Sequence, residues 1–187
     1  LAETLALAGR GRGPTSGGRA PTRSISPQQT GSEFDAVLCL GNSLPHVLTP
    51  EDLVAALNDF AACLRPEGLV LIQNRNFAPV LGDRERWMPP QSHQEGQREW
   101  LFLRFYDFDP DGRLTFNVVQ LRHKKGKDWS QRVTSTRLWP LTAEELARAL
   151  NSADLELVAR YGDLQGNSFD TDRSPNLVVE GRSLPVR

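Results

Sequence analysis

The rhythm of apolar and polar positions changes along the chain, and each change marks a different kind of element. Phe34–Leu40 (FDAVLCL) is a short continuous apolar run, the pattern of a strand buried within a parallel sheet. Thr49-Pro50-Glu51-Asp52 starts a helix: Thr49 can cap it, Pro50 suits its first turn, and the two acids favour the positive end of its dipole. Leu53, Val54, Leu57, Phe60, Ala61 and Leu64 then fall on one face at helical spacing. Pro66-Glu67-Gly68 ends the helix, and Gly68–Gln73 (GLVLIQ) is a second apolar run. Strand, helix and strand of this length predict a right-handed crossover between two parallel strands.

The middle of the chain switches to alternation. Phe102–Phe108, Arg113–Leu121 and Trp129–Leu138 alternate apolar and polar residues, joined by Asp109-Pro110-Asp111-Gly112 and by the polar turn His123–Asp128. This predicts a three-stranded antiparallel meander with one wet face. Thr142–Ser152 returns to a helical pattern, with Thr142 and Glu145 at capping-box spacing, and Leu155–Tyr161 and Asn176–Glu180 read as two further strands. The beginning is different again. Gly9–Ser32 is rich in Gly, Pro, Ser, Thr and Arg with no acidic residue, and it cannot bury enough apolar surface to offset its ordering entropy. Residues 1–33 are therefore expected to be a disordered or non-homologous segment, with the fold confined to 34–187.

Composition narrows the class. The chain has 187 residues, 39% hydrophobic and 24% charged, with a formal net charge of -1. That is enough for one domain with a real core, and the near-zero charge carries no nucleic-acid footprint. No apolar run is long enough to cross a bilayer, and Leu1–Ala8 lacks the length and basic flank of a secretion signal. Cys39 and Cys63 sit within apolar runs and read as buried hydrophobes in a reducing, cytoplasmic compartment. His46, His93 and His123 are too far apart for metal-ligand spacing.

In open α/β sheets, ligands bind beyond the carboxyl ends of the parallel strands. Two segments occupy that rim: Gly41-Asn42-Ser43-Leu44-Pro45-His46 and Asn74-Arg75-Asn76-Phe77. On neighbouring strands their roots would lie about 5 Å apart. Together they offer amides, a hydroxyl, an imidazole and a guanidinium, a set suited to a small zwitterion beside a cationic cofactor.

These segments also carry a resemblance. FDAVLCLGNSLPHVL resembles the fourth-strand segment of the glycine N-methyltransferase family of class I S-adenosylmethionine-dependent methyltransferases, where a near-identical F-D-A-V-I-C-L-G-N-S run continues to a histidine. CLRPEGLVLIQNRNFAPVL resembles that family's fifth-strand segment, and RYGDL its late G-D-F element. The resemblance covers roughly the last 150 residues and is strongest over 34–81. It implies an α/β fold: part of a Rossmann-like sheet, strands 4-5-7-6, with an antiparallel lid inserted at about 100–139. It implies the cofactor S-adenosylmethionine and a small amine or amino acid as methyl acceptor. Asn42 and Arg75 match residues that hold the substrate, the arginine clamping its carboxylate. Leu40, Gly41 and His46 match the wall against the methionine part of the cofactor.

Departures from the family bear on the substrate. Trp139 stands where the family has a tyrosine before proline, and is drawn toward the substrate site by that match; Phe77 replaces the tyrosine after Arg-Asn, and Gln73 an aspartate. No counterpart of the first three strands, the Gly-rich loop or the ribose-gripping acid is found. Gly9-Arg10-Gly11-Arg12-Gly13 has neither a preceding strand nor an acid at the needed distance. The chain thus reads as a truncated, impaired methyltransferase, or alternatively as a non-catalytic fragment or partner subunit. A nicotinamide-dependent enzyme is disfavoured by the absent Gly-rich loop. The strand Phe34–Leu40 would form an open apolar edge, available for self-association.

Simpler roles stand beside these. Asn42 and Ser43 alone could make a turn and cap, and Arg75 alone a solvated surface charge. Lys124, Lys125 and Lys127 fit a wet hairpin turn. Asp107, Asp109 and Asp111 lack the glycine and terminal glutamate of a calcium loop. The four tryptophans suit core or lid packing.

Overall fold

The computed structural model describes residues 5–7 and 34–185. The expectation of disorder over 1–33 lies, except for 5–7, outside the described residues. Two sheets make up the fold. The larger follows the order β1-β2-β3-β9-β8, with β1 at Leu5–Leu7, β2 at Phe34–Cys39, β3 at Leu64–Arg75, β8 at Leu155–Tyr161 and β9 at Asn176–Ser183. β2 and β3 run parallel, with Val37 opposite Val70 and Cys39 opposite Ile72, while β9 is antiparallel to both β3 and β8.

Helices α1 (Pro50–Cys63) and α3 (Ala143–Ser152) pack against this sheet and each other. Their starts follow the chemistry in the sequence. The Thr49 hydroxyl accepts from the Asp52 N–H at 3.1 Å, and Thr142 and Glu145 form a reciprocal capping box. Leu53 and Leu57 of α1, and Leu146 and Leu150 of α3, meet Val37, Cys39, Val70, Ile72, Leu177 and Val179 in one buried core. At β9, Gly181 allows this closeness: a Cβ there would sit 2.9 Å from Val70 Cγ1.

The second sheet is an antiparallel meander in the order β4-β5-β6-β7, at Gln91–Glu95, Arg98–Phe108, Leu114–Lys124 and Ser130–Leu138. The expected three-stranded lid is therefore corrected to four strands, beginning at Gln91 rather than near residue 100. The extra strand, QSHQE, has no buried position, so no apolar alternation betrays it; its pairing with β5 defines it. β3 also starts four residues before Gly68, because the helix already ends at Cys63.

The expectation of an open edge on β2 is corrected too. Leu5, Ala6 and Leu7 pair antiparallel with Cys39, Leu38 and Val37, supplying that edge with main-chain partners.

The lid is anchored at its base. Arg113 donates through Nε and Nη2 to the Leu48 carbonyl at 3.1 and 2.6 Å and stacks over Trp139, and the Trp139 N–H donates to the Pro45 carbonyl at 2.7 Å. A short helix α2 (Ala78–Gly82) follows β3, and Phe77 and Val80 join Tyr106, Leu114 and Leu138 in a second small core between it and the lid. The anchored lid arches over the carboxyl ends of β2 and β3.

Candidate functional site

The turn after β2 is built from two consecutive residues in left-handed conformation, Gly41 (φ 75°) and Asn42 (φ 61°). Glycine adopts this freely, and asparagine is among the few side chains that tolerate it. The result aims Asn42 across at the neighbouring strand. Its N–H donates to the Gln73 carbonyl at 3.1 Å, and its Oδ1 accepts the Arg75 N–H at 2.9 Å. The Gly41 N–H donates to Gln73 Oε1 at 2.7 Å, and Gln73 Nε2 donates to Asn176 Oδ1 at 2.9 Å. The two rim segments are thus joined directly, and β9 is drawn into the same network.

Above the rim lies a cavity of about 560 Å³. That is within the usual range for small-molecule sites. Gly41, Asn42, His46, Gln73, Arg75 and Asn176 form its floor. Arg104, Tyr106, Phe116, Val118, Thr134 and Thr136 descend from the lid, with Met88 and Leu138 at the sides. The lid residues share one face because they pair laterally: Arg104 opposite Val118, which faces Thr134, and Tyr106 opposite Phe116, which faces Thr136.

The electrostatics are cationic. Arg75 Nη2 reaches Glu85 at 3.4 Å, a long contact to a half-exposed carboxylate that binds the guanidinium weakly. The Nε of Arg75 and the Nε of Arg104 are both buried without a hydrogen-bond partner. Burial pushes the Tyr106 hydroxyl up from its ordinary value, while the charges of Arg75 and Arg104 oppose the shift. Partial desolvation lowers the pKa of His46, so its imidazole is more readily neutral.

Four of the six residues singled out in the sequence converge here: Asn42, Arg75, Gly41 and His46. Two do not line the cavity. Leu40 follows the last residue of β2, and its carbonyl accepts from Ser43 Oγ at 2.7 Å. Trp139 is only 8% exposed and belongs to the core against α1 and α3. Leu138 before it lines the cavity, and the next residue turns the other way.

No family model matches the chain. It is 38% identical over 139 residues to a glycine/sarcosine N-methyltransferase of Halorhodospira halochloris, covering 74% of this chain and 47% of that protein. The chain spans about half the length of the curated relatives it matches. In three dimensions it superposes on an S-adenosylmethionine-dependent methyltransferase of Clostridium acetobutylicum with TM-score 0.65 and 9% identity, covering 83% of this chain and 60% of that one. The SAM-bound amino pentose methyltransferase of Micromonospora echinaspora gives TM-score 0.60 and 17% identity, with 82% and 59% covered. The chain is thus similar in sequence to glycine/sarcosine N-methyltransferases and in fold to S-adenosylmethionine-dependent methyltransferases. At these identities the solved structures speak for the fold, and the sequence relatives for kinship.

Sequence reasoning missed Gln73, Arg104, Tyr106 and Asn176 at the cavity. Gln73 was visible only as a departure from the family's aspartate. Arg104 and Tyr106 carry a weak signal, a cation and a phenol two apart in the mostly apolar run Trp100–Phe108, where period-two alternation puts both on one face.

Among the described residues, no helix is long and apolar enough to cross a membrane, and no group of three or more His, Cys, Asp or Glu could hold a metal ion. Asp107 and Asp109 are instead engaged by Arg86, Asn117, Thr115 and Arg137, and Asp111 by Arg137.

Proposed function

We propose that the chain is the C-terminal half of a methyltransferase that transfers methyl from S-adenosylmethionine to the amine of a small amino acid. The observation that carries this reading is the Asn42–Arg75 junction. It places a guanidinium with a buried, unpartnered Nε under a lidded cavity at the carboxyl rim of two parallel strands. That rim is where α/β sheets bind ligands. Glycine and sarcosine are what the Halorhodospira relative is named for, and an amino-acid carboxylate suits the guanidinium fork of Arg75, whose contact to Glu85 is a long 3.4 Å one.

The donor set fits one side of the cofactor. Gly41 presents bare backbone and His46 an exposed imidazole at the rim, and both would lie against its methionine end. When bound, S-adenosylmethionine supplies a methyl group on an electrophilic sulfonium. The residues of this chain then have three tasks. Arg75 and Asn42 fix the acceptor, Arg75 gripping its carboxylate so that the amine is held in one orientation. Alignment of this kind is worth more than acid–base assistance for transfer to a neutral amine. Tyr106, Phe116 and Val118 roof the cavity and exclude water, which protects the transfer from side reactions.

In this reading β2, β3, β9 and β8 are the family's strands 4, 5, 7 and 6, and the second sheet is its substrate lid. The remaining strands, with the Gly-rich loop and ribose-gripping acid, belong to the other half, so the chain alone binds cofactor weakly. The test is a labelled-methyl assay with the chain joined to the complementary half of the Halorhodospira relative. Glycine or sarcosine should be methylated, and Arg75→Ala should reduce turnover by a factor of a hundred or more, the scale of losing a charged hydrogen-bonded clamp. Wild-type turnover in Arg75→Ala would remove the arginine from the mechanism.

A further inference from the structure

A glycine-sized acceptor needs one guanidinium, and the cavity has two. Arg75 rises from the floor and Arg104 descends from β5 in the lid, and both act electrostatically on the same buried phenol, Tyr106. Arg104 joins none of the ion pairs among the described residues, and its Nε is buried with no hydrogen-bond partner. A buried guanidinium donor left unpaired costs free energy, so such a group points to an anion that completes it. Arg104 pairs laterally with Val118 on the cavity face of the lid. Its neighbours on the same face, Val118 and Thr134, are the small residues an ordinary lid would use.

The charge balance argues the same way. Two arginines face one half-exposed glutamate, Glu85, which reaches only Arg75. Resting on the methyltransferase reading, a cationic cofactor would add a further positive charge beside them. A monocarboxylate leaves an excess of like charge in a half-closed, low-dielectric space, where repulsion is poorly screened.

We infer that the acceptor is an amino acid with a second anionic oxygen group, its α-carboxylate held by Arg75 and the second anion by Arg104. Thr134 and Thr136 line the same cavity from β7, two strands across the lid from Arg104, and offer further hydroxyl donors to an anion held there. The second group is a carboxylate or a phosphate; both present paired oxygens to a guanidinium fork.

The experiment is a ligand-binding titration of the 187-residue chain by NMR, with glycine, aspartate, glutamate and phosphoserine as probes. It compares wild type, Arg104→Gln and Arg75→Gln, each checked for an unchanged fold by its amide spectrum. Aspartate, glutamate or phosphoserine should bind at least tenfold more tightly than glycine, the scale of one charged hydrogen bond. Which of the three is tightest distinguishes carboxylate from phosphate. Arg104→Gln should erase the preference, weakening the doubly anionic probes at least tenfold more than glycine, and Arg75→Gln should weaken all four. If glycine binds as tightly as the others, or the preference survives Arg104→Gln, the inference is overturned; if Arg75→Gln still weakens glycine, the methyltransferase reading stands. If folded wild-type chain binds none of the four, both fall.

Discussion

The junction between the two rim segments rests on one side chain, and substituting Asn42 separates its two contributions. Asn42→Ala removes the oxygen that accepts the Arg75 N–H at 2.9 Å and puts a Cβ-bearing residue without asparagine's local hydrogen bonding at φ 61°. The orphaned donor, part-buried, costs about 1–2 kcal/mol, and the left-handed conformation about 1 kcal/mol more. Asn42→Gly relieves the backbone but not the lost acceptor, and Asn42→Asp keeps an acceptor oxygen. Urea denaturation should therefore rank the losses Ala, then Gly, then Asp, with Ala about 2–3 kcal/mol below wild type. Hydrogen exchange at the Arg75 amide is the local readout. Its protection should fall at least tenfold in Asn42→Ala and Asn42→Gly, and much less in Asn42→Asp. Unchanged Arg75 protection in the alanine and glycine variants would show that the side chain does not join the strands, and the argument from the junction would fail.

Two further outcomes follow from the buried titratable groups. The Cys39 thiol is pushed up to about 11 by burial, so it should resist alkylating reagents at pH 8 in the folded chain and react only on unfolding; rapid labelling in native buffer would contradict its place in the core. Burial also raises the Tyr106 pKa above its ordinary value near 10, which means the folded state favours the neutral phenol. That stability is fully present below the unfolded value and is lost as the pH rises through the folded one, so Tyr106→Phe should flatten the fall in stability that urea titration follows as the pH is raised above 10.

Much of the fold could be read from the sequence because its signals are local. FDAVLCL and GLVLIQ have no polar interruption long enough to break a buried strand after Asp35, and the caps at Thr49 and Thr142 act through residues three positions away. What could not be read depends on distant partners. QSHQE becomes a strand only because β5 lies beside it, and Leu5–Leu7 only because β2 does. The floor of the site was legible, since Asn42 and Arg75 end two recognisable strands. Its roof was not. Arg104 and Tyr106 reach the cavity because the meander folds back over the rim, a tertiary fact that alternation alone does not contain. Trp139 shows the opposite error. Matching a family tyrosine drew it toward the substrate, whereas the structure turns it away from Leu138 into the core, where Arg113 stacks on it at 4.6 Å and fixes the lid base.

The central claim is that the rim of β2 and β3, roofed by the lid, receives an amino acid through Arg75. The most direct measurement is an NMR titration of the chain with glycine, following the Arg75 Nε–H, the Asn42 side-chain amide and the Trp139 indole N–H. The account predicts that the Arg75 and Asn42 signals move together and saturate while the indole stays still. An indole that shifts while Arg75 remains unmoved would place the ligand elsewhere and contradict it.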